Sequence, residues 1–233
     1  MFNIRVADIV IEIDNKYKYI EKMCRDYITD EPAVFSVSVT DDEIMFEDME
    51  NQNFPPQYLE TLAIYRKITA KASGFGIFLM HGGLMDVDGH GLLLCAESGT
   101  GKTTHSNLWR ELLGERLRII NGDKPLIRLC DGTPYGYGTP WCGKEQINEN
   151  DRTRLYDICF IKRAKENSTK ELQRSEVIAN LLPAVHIPNG AGAGQVLETL
   201  DAVSKNIRFW EISCNMDISA AETAYNAIMA IGK

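Results

Sequence analysis

Residues 91–104 read Gly91-Leu-Leu-Leu-Cys-Ala-Glu-Ser-Gly-Thr-Gly-Lys-Thr-Thr104. The apolar first half predicts a buried strand, the small residues in the middle predict a turn, and a helix-like segment follows as far as Leu113. This order directs successive backbone N–H groups and a helix N-terminus at one point. The stretch therefore predicts an α/β fold with an anion site at this turn.

The turn follows the phosphate-loop pattern Gly-x-x-x-x-Gly-Lys-Ser/Thr, except that Ala96 stands in the first position. In that pattern the lysine, here Lys102, neutralises the β- and γ-phosphate oxygens, and the hydroxyl of Thr103 binds magnesium. The alternative is a glycine-rich turn that binds nothing. We expect nucleotide binding, and the binding residues are Ala96, Glu97, Ser98, Gly99, Thr100, Gly101, Lys102, Thr103 and Thr104.

Length and composition limit the possible domain organisation, partners and location of the protein. The chain has 233 residues, which suits one sizeable domain or a core domain with a small appended module. Its net charge of −8, without a basic block, argues against nucleic acid as the main partner. No apolar stretch approaches the ~20 residues of a membrane span, and the N-terminal residues alternate rather than form a signal sequence. The scattered cysteines lack a Cys-x-x-Cys pair, so we expect reduced thiols in a cytoplasmic protein.

Residues 1–72 predict a small α+β region docked on the rest of the chain. Alternating β-branched residues predict one or two strands over 2–13 and another strand over 33–40, with a short amphipathic helix between them. The acidic residues at 41–50 are interpreted as a solvated face. Pro55-Pro56 precedes apolar residues at helical spacing and therefore predicts the start of a helix.

Residues 73–233 predict the larger domain. A strand over 75–87, a turn at Asp88-Gly89 and a returning strand lead into the glycine-rich loop. The later pattern predicts further strands at 117–120, 126–129, 155–162 and 208–213. It predicts helices at 175–182 and 220–231. It also predicts a turn-rich loop at 132–144 and a Gly/Ala loop at 190–194 that precedes a helix.

Two side chains outside the loop are candidate catalytic or metal-binding residues. His81 lies on the strand before the hairpin, where the alternative is a core histidine bonded to a neighbouring carbonyl. Asp123 follows an apolar strand after the loop, where a carboxylate can hold magnesium or orient a nucleophile. Its alternative is a turn-forming residue after Asn-Gly. His90 suits the hairpin better than chemistry, and the loop 139–144 suits either base packing or a structural turn.

These segments together resemble the core of the HPr serine kinase/phosphorylase family. Residues 81–104 carry the His-Gly, the hairpin and the loop of that core, and Ile119-Ile-Asn-Gly-Asp123 is similar to its strand that ends in Asp-Asp. The sequence Ser-Gly-Thr-Gly-Lys-Thr-Thr equally resembles the loop of ATP-type phosphoenolpyruvate carboxykinases, whose nucleotide domain shares that fold. With Gly138-Thr-Pro-Trp-Cys-Gly-Lys144 included, the order of parts most resembles small kinase-like relatives of these enzymes.

The resemblance implies a P-loop domain with a mixed β-sheet and flanking helices, and it implies ATP and Mg²⁺ as ligands. Residues 96–103 would hold the triphosphate, and Thr103 would bind magnesium. His81 would lie near the γ-phosphate as a catalytic residue beside Lys102. Asp123 would bind the metal or draw the proton from the attacking hydroxyl. The hexamers of the family imply a homo-oligomer.

The chain also departs from the family. The Asp-Asp pair is Gly122-Asp123 here, so one carboxylate serves two roles or one role is missing; Asp157, Glu145 or the Asn121 amide could compensate. The Glu-x-Arg-Gly-x-Gly signature of HPr kinases is missing, which argues against HPr as substrate. The chain also has no room for the larger metal and oxaloacetate machinery of the carboxykinases.

The leading hypothesis is a kinase that transfers the ATP γ-phosphoryl group to a hydroxyl on a peptide, a protein or a small molecule. A second hypothesis is a non-catalytic ATP-binding regulatory or accessory module, which is consistent with the single aspartate. A third is an ATPase or GTPase switch. The chain lacks the Asn-Lys-x-Asp motif that reads guanine, which argues against the GTPase form.

Overall fold

The structure is a computed structural model that describes residues 1–48, 52–97, 99–190 and 192–230. A three-stranded sheet and three helices form the N-terminal region. They are β1 (Phe2–Val6), β2 (Ile9–Asp14), β3 (Phe35–Ser38), α1 (Lys18–Met23), α2 (Asp41–Phe46) and α3 (Pro56–Ala72). Because β1 pairs antiparallel with β2, the prediction of two short strands over 2–13 is confirmed. The third strand pairs parallel with β2.

A nine-stranded sheet with four helices follows in the described part of the chain. Its elements are β4 (Ile77–Leu79), β5 (Gly83–Val87), β6 (His90–Cys95), α4 (Lys102–Leu113), β7 (Leu117–Asn121), β8 (Leu126–Cys130), β9 (Thr133–Tyr137), β10 (Arg152–Arg163), β11 (Ser168–Glu171), α5 (Arg174–Leu181), α6 (Gly192–Ser204), β12 (Arg208–Cys214) and α7 (Ile218–Met229). The spatial order is β4-β8-β9-β10-β6-β5-β7, with β12 beside β10 and β11 beside β12.

The long strand β10 joins the two halves of this sheet. Its first three residues pair antiparallel with β9, and its later residues pair parallel with β6 on one side and β12 on the other. The sheet is therefore mixed, and its pairing changes from antiparallel to parallel along β10. The expectation of a mixed sheet with flanking helices is confirmed.

Three apolar clusters hold these layers together. One cluster fills the space between the N-terminal sheet, α3 and the β4–β8–β9 side of the large sheet. The second packs one face of the large sheet against α5 and α6, and the third packs the opposite face against α4 and α7. Because the first cluster includes Leu79 and Trp141, the N-terminal region shares a core with the part beyond residue 72. The division at residue 72 stays a prediction.

Strand β9 is the main difference from the sequence-based expectation, because it lies in the predicted turn-rich loop 132–144. Pro134 and Gly136 conceal the strand pattern, since both residue types are depleted in strands. Packing explains the glycine: a Cβ atom at position 136 would lie 2.6 Å from the Leu84 side chain. This part of the loop prediction was therefore wrong.

Three smaller elements also differ from the sequence-based expectation. The acidic stretch forms α2, because Thr40 and Glu43 make a reciprocal capping box at its N-terminus. The polar edge strand β11 carries no apolar pattern and was missed. Helix α6 begins at Gly192, inside the predicted Gly/Ala loop, and residue 191 lies outside the described residues. None of the described helices is both long and apolar enough to span a bilayer.

Candidate functional site

The loop between β6 and α4 carries the predicted anion site. Strand β6 ends at Cys95 and α4 begins at Lys102, so the predicted order of strand, turn and helix is confirmed. Gly99 and Gly101 have φ angles of 77° and 119°, which are left-handed values that favour glycine. Open space lies where their Cβ atoms would be, so a ligand can approach the backbone closely. Ser98, one of the predicted binding residues, lies outside the described residues.

The N-terminus of α4 leaves backbone donors available. Gly101 occupies the capping position without a side-chain cap, and the first N–H groups of an α-helix have no partner within the helix. The side chains of Thr103 and Thr104 are exposed beside them. Free N–H groups and the positive end of the helix dipole attract an anion. The first turn of α4 therefore has the chemistry of a phosphate site.

Lys102 and Asp123 form the central ion pair of the site. The Nζ atom of Lys102 donates to Oδ1 of Asp123 at 2.9 Å, and 18% and 31% of the two side chains are exposed. Strands β6 and β7 are both antiparallel to β5, so their carboxyl ends lie at the same edge of the sheet. This shared edge brings the loop lysine and the aspartate together. Ligands of open α/β sheets commonly bind at the carboxyl ends of strands.

A buried asparagine fixes the backbone of Asp123. The Asn121 side chain is fully buried, and its Oδ1 accepts hydrogen bonds from the backbone N–H groups of Asp123 at 2.9 Å and Lys124 at 2.7 Å. Its Nδ2 donates to the carbonyl of Thr139 at 3.0 Å. Asn121 therefore positions the aspartate, and the idea that its amide replaces a second carboxylate was wrong because the amide is already saturated.

The position before Asp123 has no room for a second carboxylate. A Cβ atom at Gly122 would lie 2.9 Å from the backbone carbonyl oxygen of Cys142 and 3.5 Å from that of Ile147. Contacts under 3 Å with backbone atoms require the chain to shift. The packing of the neighbouring loop therefore favours glycine at position 122.

That neighbouring loop supports the site from behind. The rings of Trp141 and Tyr65 stack at 4.0 Å, and Trp141 Nε1 donates to the carbonyl of Thr61 at 2.9 Å. Trp141 is only 5% exposed, so its ring is occupied by α3 and is not open to a nucleotide base. A Cβ atom at Gly143 would lie 3.0 Å from Cβ of Asp123, which shows how closely the loop approaches the aspartate. The loop 139–144 is therefore a structural turn and not a surface for packing a base.

His81 lies next to this ion pair. Its backbone N–H donates to the carbonyl of Ala184, and the adjacent Gly82 N–H donates to the carbonyl of Asp123 at 2.8 Å. The His81 side chain is exposed, and the part of it that packs against the protein is desolvated, which lowers its pKa. The charge of Lys124 lowers the pKa of His81 further, and the Asp123 carboxylate partly opposes this. The structure therefore brings His81, Lys102 and Asp123 into one neighbourhood.

The other candidate carboxylates do not join the site. Asp157 lies in β10 opposite Leu92, near the start of β6 rather than at its loop end. It is fully buried and bonded to His90, Arg208 and Trp210. Glu145 is exposed in the turn after Gly143. The suggestion that Asp157 compensates for the missing aspartate was therefore wrong, and His90 serves this buried cluster as well as the hairpin.

Arg163 is a loop contact that the sequence analysis missed. Its Nε donates to the carbonyl of Thr100 at 2.9 Å, and its Nη2 donates to the carbonyl of Gly99. The side chain therefore clamps the loop and adds a positive charge at its edge. Since Arg163 ends the strand that runs parallel to β6, an arginine at the carboxyl end of a predicted strand is the signal that could have identified it.

The metal chemistry of the site depends on oxygen donors. No group of three His, Cys, Asp or Glu side chains within the described ranges could hold a metal ion by itself. The Thr103 hydroxyl and the Asp123 carboxylate supply the hard oxygen ligands that Mg²⁺ prefers, and Mg²⁺ commonly takes its remaining ligands from phosphates and water. Thr103 and Asp123 are therefore the residues of the site whose oxygen atoms could hold a magnesium ion.

Comparisons with known proteins were made for the sequence and for the fold. No protein-family model matches the chain, and no curated protein sequence matches it. Among solved structures, the chain is similar to an HPr(Ser) kinase/phosphatase from Coxiella burnetii, at 9% sequence identity and a TM-score of 0.39. The match covers 66% of this chain and 92% of that chain. This is a distant likeness, and the residue roles considered below rest on the geometry of this chain.

Proposed function

We propose that the protein is a kinase that uses Mg·ATP to phosphorylate a hydroxyl group. One observation carries the proposal: Lys102, the first residue of α4, bonds at 2.9 Å to Asp123, which follows β7. A phosphate-binding lysine and a carboxylate of this kind are the two protein groups that phosphoryl transfer to a hydroxyl requires. The partial exposure of both side chains leaves the pair accessible to substrates.

The proposed mechanism assigns each group one role. The N–H groups at the start of α4 and the Lys102 ammonium bind the phosphate oxygens. Lys102 moves from Asp123 to the phosphates when the nucleotide binds, which releases Oδ1 of the carboxylate. Asp123 then accepts the proton of the attacking hydroxyl. Magnesium, held by Thr103 and Asp123, would neutralise charge on the phosphoryl group as it transfers.

The test measures nucleotide binding and phosphoryl transfer separately. Purified protein is incubated with γ-labelled Mg·ATP and a pool of hydroxyl metabolites and serine peptides, and ADP and labelled products are quantified. Lys102→Ala is expected to abolish both binding and transfer. Lys22→Ala, which changes an exposed lysine at the end of α1, is expected to alter neither.

Two results would contradict this proposal. Binding of Mg·ATP without any labelled product from the pool would favour the non-catalytic module, which the single aspartate also fits. Failure of the unchanged protein to bind ATP, or an affinity and a transfer rate that are both unchanged in Lys102→Ala, would exclude nucleotide chemistry at this loop.

A further inference from the structure

A cavity of about 160 Å³ lies between α3, the end of β4 and the segment that follows β7. Helix α3 forms one wall through Tyr65, and Leu79 at the end of β4 forms another. His81 and Lys124 line it on the side of Asp123. At ~30 Å³ per water molecule, it holds about five waters, which is the size of a compact metabolite of about three or four carbons.

Two polar groups in this cavity have no partner. Lys124 makes no ion pair or side-chain hydrogen bond with any described residue, although its backbone is held by Asn121 and Tyr65. The Nε2 atom of His186 is buried and forms no hydrogen bond. A buried polar atom without a partner costs free energy, so an unpaired group in a cavity is a candidate ligand contact.

The remaining charges in the cavity compensate each other. Arg66 bonds to Glu47 through two nitrogens, at 2.7 and 2.8 Å, and the Glu47 side chain is only 7% exposed. Among the described residues that line the cavity, Lys124 is therefore the charged group without a counter-charge, and their summed charge is positive. Burial is the main cause that lowers the pKa of His81 and of His186, and the Lys124 ammonium lowers both further.

We infer that this cavity binds the phosphoryl acceptor and that the acceptor is a small hydroxy carboxylate. The inference rests on the proposed kinase function. The carboxylate of the acceptor pairs with Lys124. The His186 ring turns so that its Nε2, which is buried in the free protein, donates to the same carboxylate, because a charged acceptor is the group that both leave unsatisfied. Its short carbon chain packs against Leu79 and Tyr65, and its hydroxyl faces the side of the cavity next to Asp123.

The transfer step follows from this placement. The acceptor hydroxyl oxygen forms a bond to the γ-phosphorus of ATP, and the bond between that phosphorus and the β,γ-bridging oxygen breaks. The hydroxyl proton passes to the Asp123 carboxylate and then to solvent. The products are the phosphorylated acid and ADP.

The first experiment compares acceptors that differ in the carboxylate. D-Glycerate and L-serine are assayed beside glycerol and ethanolamine, which carry hydroxyls without the acid group, and beside a pool of serine peptides. At least one acid is expected to exceed the counterpart that lacks its carboxylate about tenfold or more in kcat/KM, the effect of one charge-assisted hydrogen bond. Lys124→Met should remove this preference, whereas Lys71→Met, on α3 but outside the cavity, should keep it.

A second variant separates ligand binding from folding. His186→Leu removes a buried nitrogen that has no partner in the free protein, so it is expected to leave the midpoint of urea unfolding unchanged or raise it. The same variant is expected to raise KM for the acid about tenfold, with kcat changed less. A histidine with a purely structural role would show the reverse: a lower midpoint and an unchanged KM.

Calorimetry distinguishes failure of this inference from failure of the kinase proposal. D-Glycerate and L-serine are titrated into the protein with Mg·ADP present, which requires no turnover. Binding of an acid that depends on Lys124 supports the inference. Absence of such binding for both acids, or transfer that proceeds equally to glycerol or only to peptides, overturns it while leaving the kinase proposal intact.

Discussion

Asp123 and Asp157 each lie beside a cation on the large sheet, but their surroundings differ in almost every respect. Asp157 is fully buried and accepts from Arg208 twice, from the Trp210 indole at 2.7 Å and from the His90 imidazole. Asp123 is 31% exposed, and among the described residues Lys102 is the side chain that donates to it. The Asp157 carboxylate has all its hydrogen bonds satisfied, whereas the Asp123 carboxylate has capacity left for a substrate.

The position of each aspartate in the sheet explains this difference. Asp157 lies within β10, between β6 and β12, where neighbouring strands and helices exclude water and every polar group needs a protein partner. Asp123 lies two residues after the end of β7, where the strands end and a loop can open to solvent. We therefore expect substitutions at Asp157 to change stability and substitutions at Asp123 to change chemistry.

The largest expected effect is on turnover in Asp123→Asn. The amide keeps the size of the side chain but cannot accept the proton of the attacking hydroxyl, so kcat should fall about 10²- to 10⁴-fold. The free energy of unfolding should change by less than about 1 kcal/mol, because the ion pair is partly exposed. Steady-state kinetics and urea unfolding of one preparation measure both. Undiminished turnover would exclude Asp123 as the base.

Asp157→Asn should show the opposite pattern. Replacing the buried carboxylate leaves Arg208 without its counter-charge, and breaking a buried pair in this way costs about 3 to 5 kcal/mol of unfolding free energy. At temperatures where the variant remains folded, kcat should stay within a few-fold of the unchanged protein. A loss of turnover in a fully folded Asp157→Asn protein would contradict the division of roles between the two aspartates.

His105 differs from both aspartates, because it is a buried polar side chain with one ring nitrogen that has no hydrogen-bond partner. It is 2% exposed on α4, and its Nε2 accepts from the Trp109 indole at 3.1 Å. Since the indole is a donor only, the proton lies on Nδ1, which has no partner. Burial lowers the pKa of His105 to about 4, so the folded protein favours the neutral ring.

The pH dependence follows from the sign of that shift. Because the folded pKa lies below the unfolded value of 6.5, the neutral ring stabilises the fold above pH 6.5. That stability falls as the pH drops from about 6.5 to about 4, by roughly 3 kcal/mol in total. Urea unfolding across this range should show the loss, and His105→Gln, which keeps an acceptor for Trp109, should reduce it. Identical pH profiles for both proteins would refute this assignment.

The sequence predicts the parts of the site that are local in the chain. Residues 96–104 form one contiguous pattern, and Asp123 follows a strand whose apolar run is clear. Both could therefore be assigned without knowledge of the fold. The strand β9 could not, because Pro134 and Gly136 contradict strand propensity and are explained only by packing against Leu84.

Contacts between distant segments were beyond the reach of sequence reasoning. The clamp from Arg163 to the loop depends on the parallel pairing of β10 with β6. The cavity depends on His186 lying beside the end of β4, and its backbone N–H donates to the carbonyl of Leu79 at 3.0 Å. No pattern within one segment encodes these neighbours, since they arise from strand order in the folded sheet.

The smallest expected effect concerns Gly122, the position at which the chain departs from the Asp-Asp pair of the family that it resembles. A side chain there meets the carbonyl of Cys142 at 2.9 Å, so Gly122→Ala and Gly122→Asp should each cost about 1 to 3 kcal/mol of unfolding free energy. Gly74→Ala is the matched control, because its Cβ would lie in open space. Its cost should stay below that of either Gly122 variant.

The aspartate variant also tests how the site works with a single carboxylate. If Asp123 alone serves as base and metal ligand, Gly122→Asp should not raise kcat, because the added carboxylate displaces the loop that approaches Asp123 through Gly143. A gain in kcat would mean that the missing carboxylate limits the reaction. A loss of kcat larger than that of Gly122→Ala would show that the spacing between this loop and Asp123, rather than the added charge, controls the chemistry.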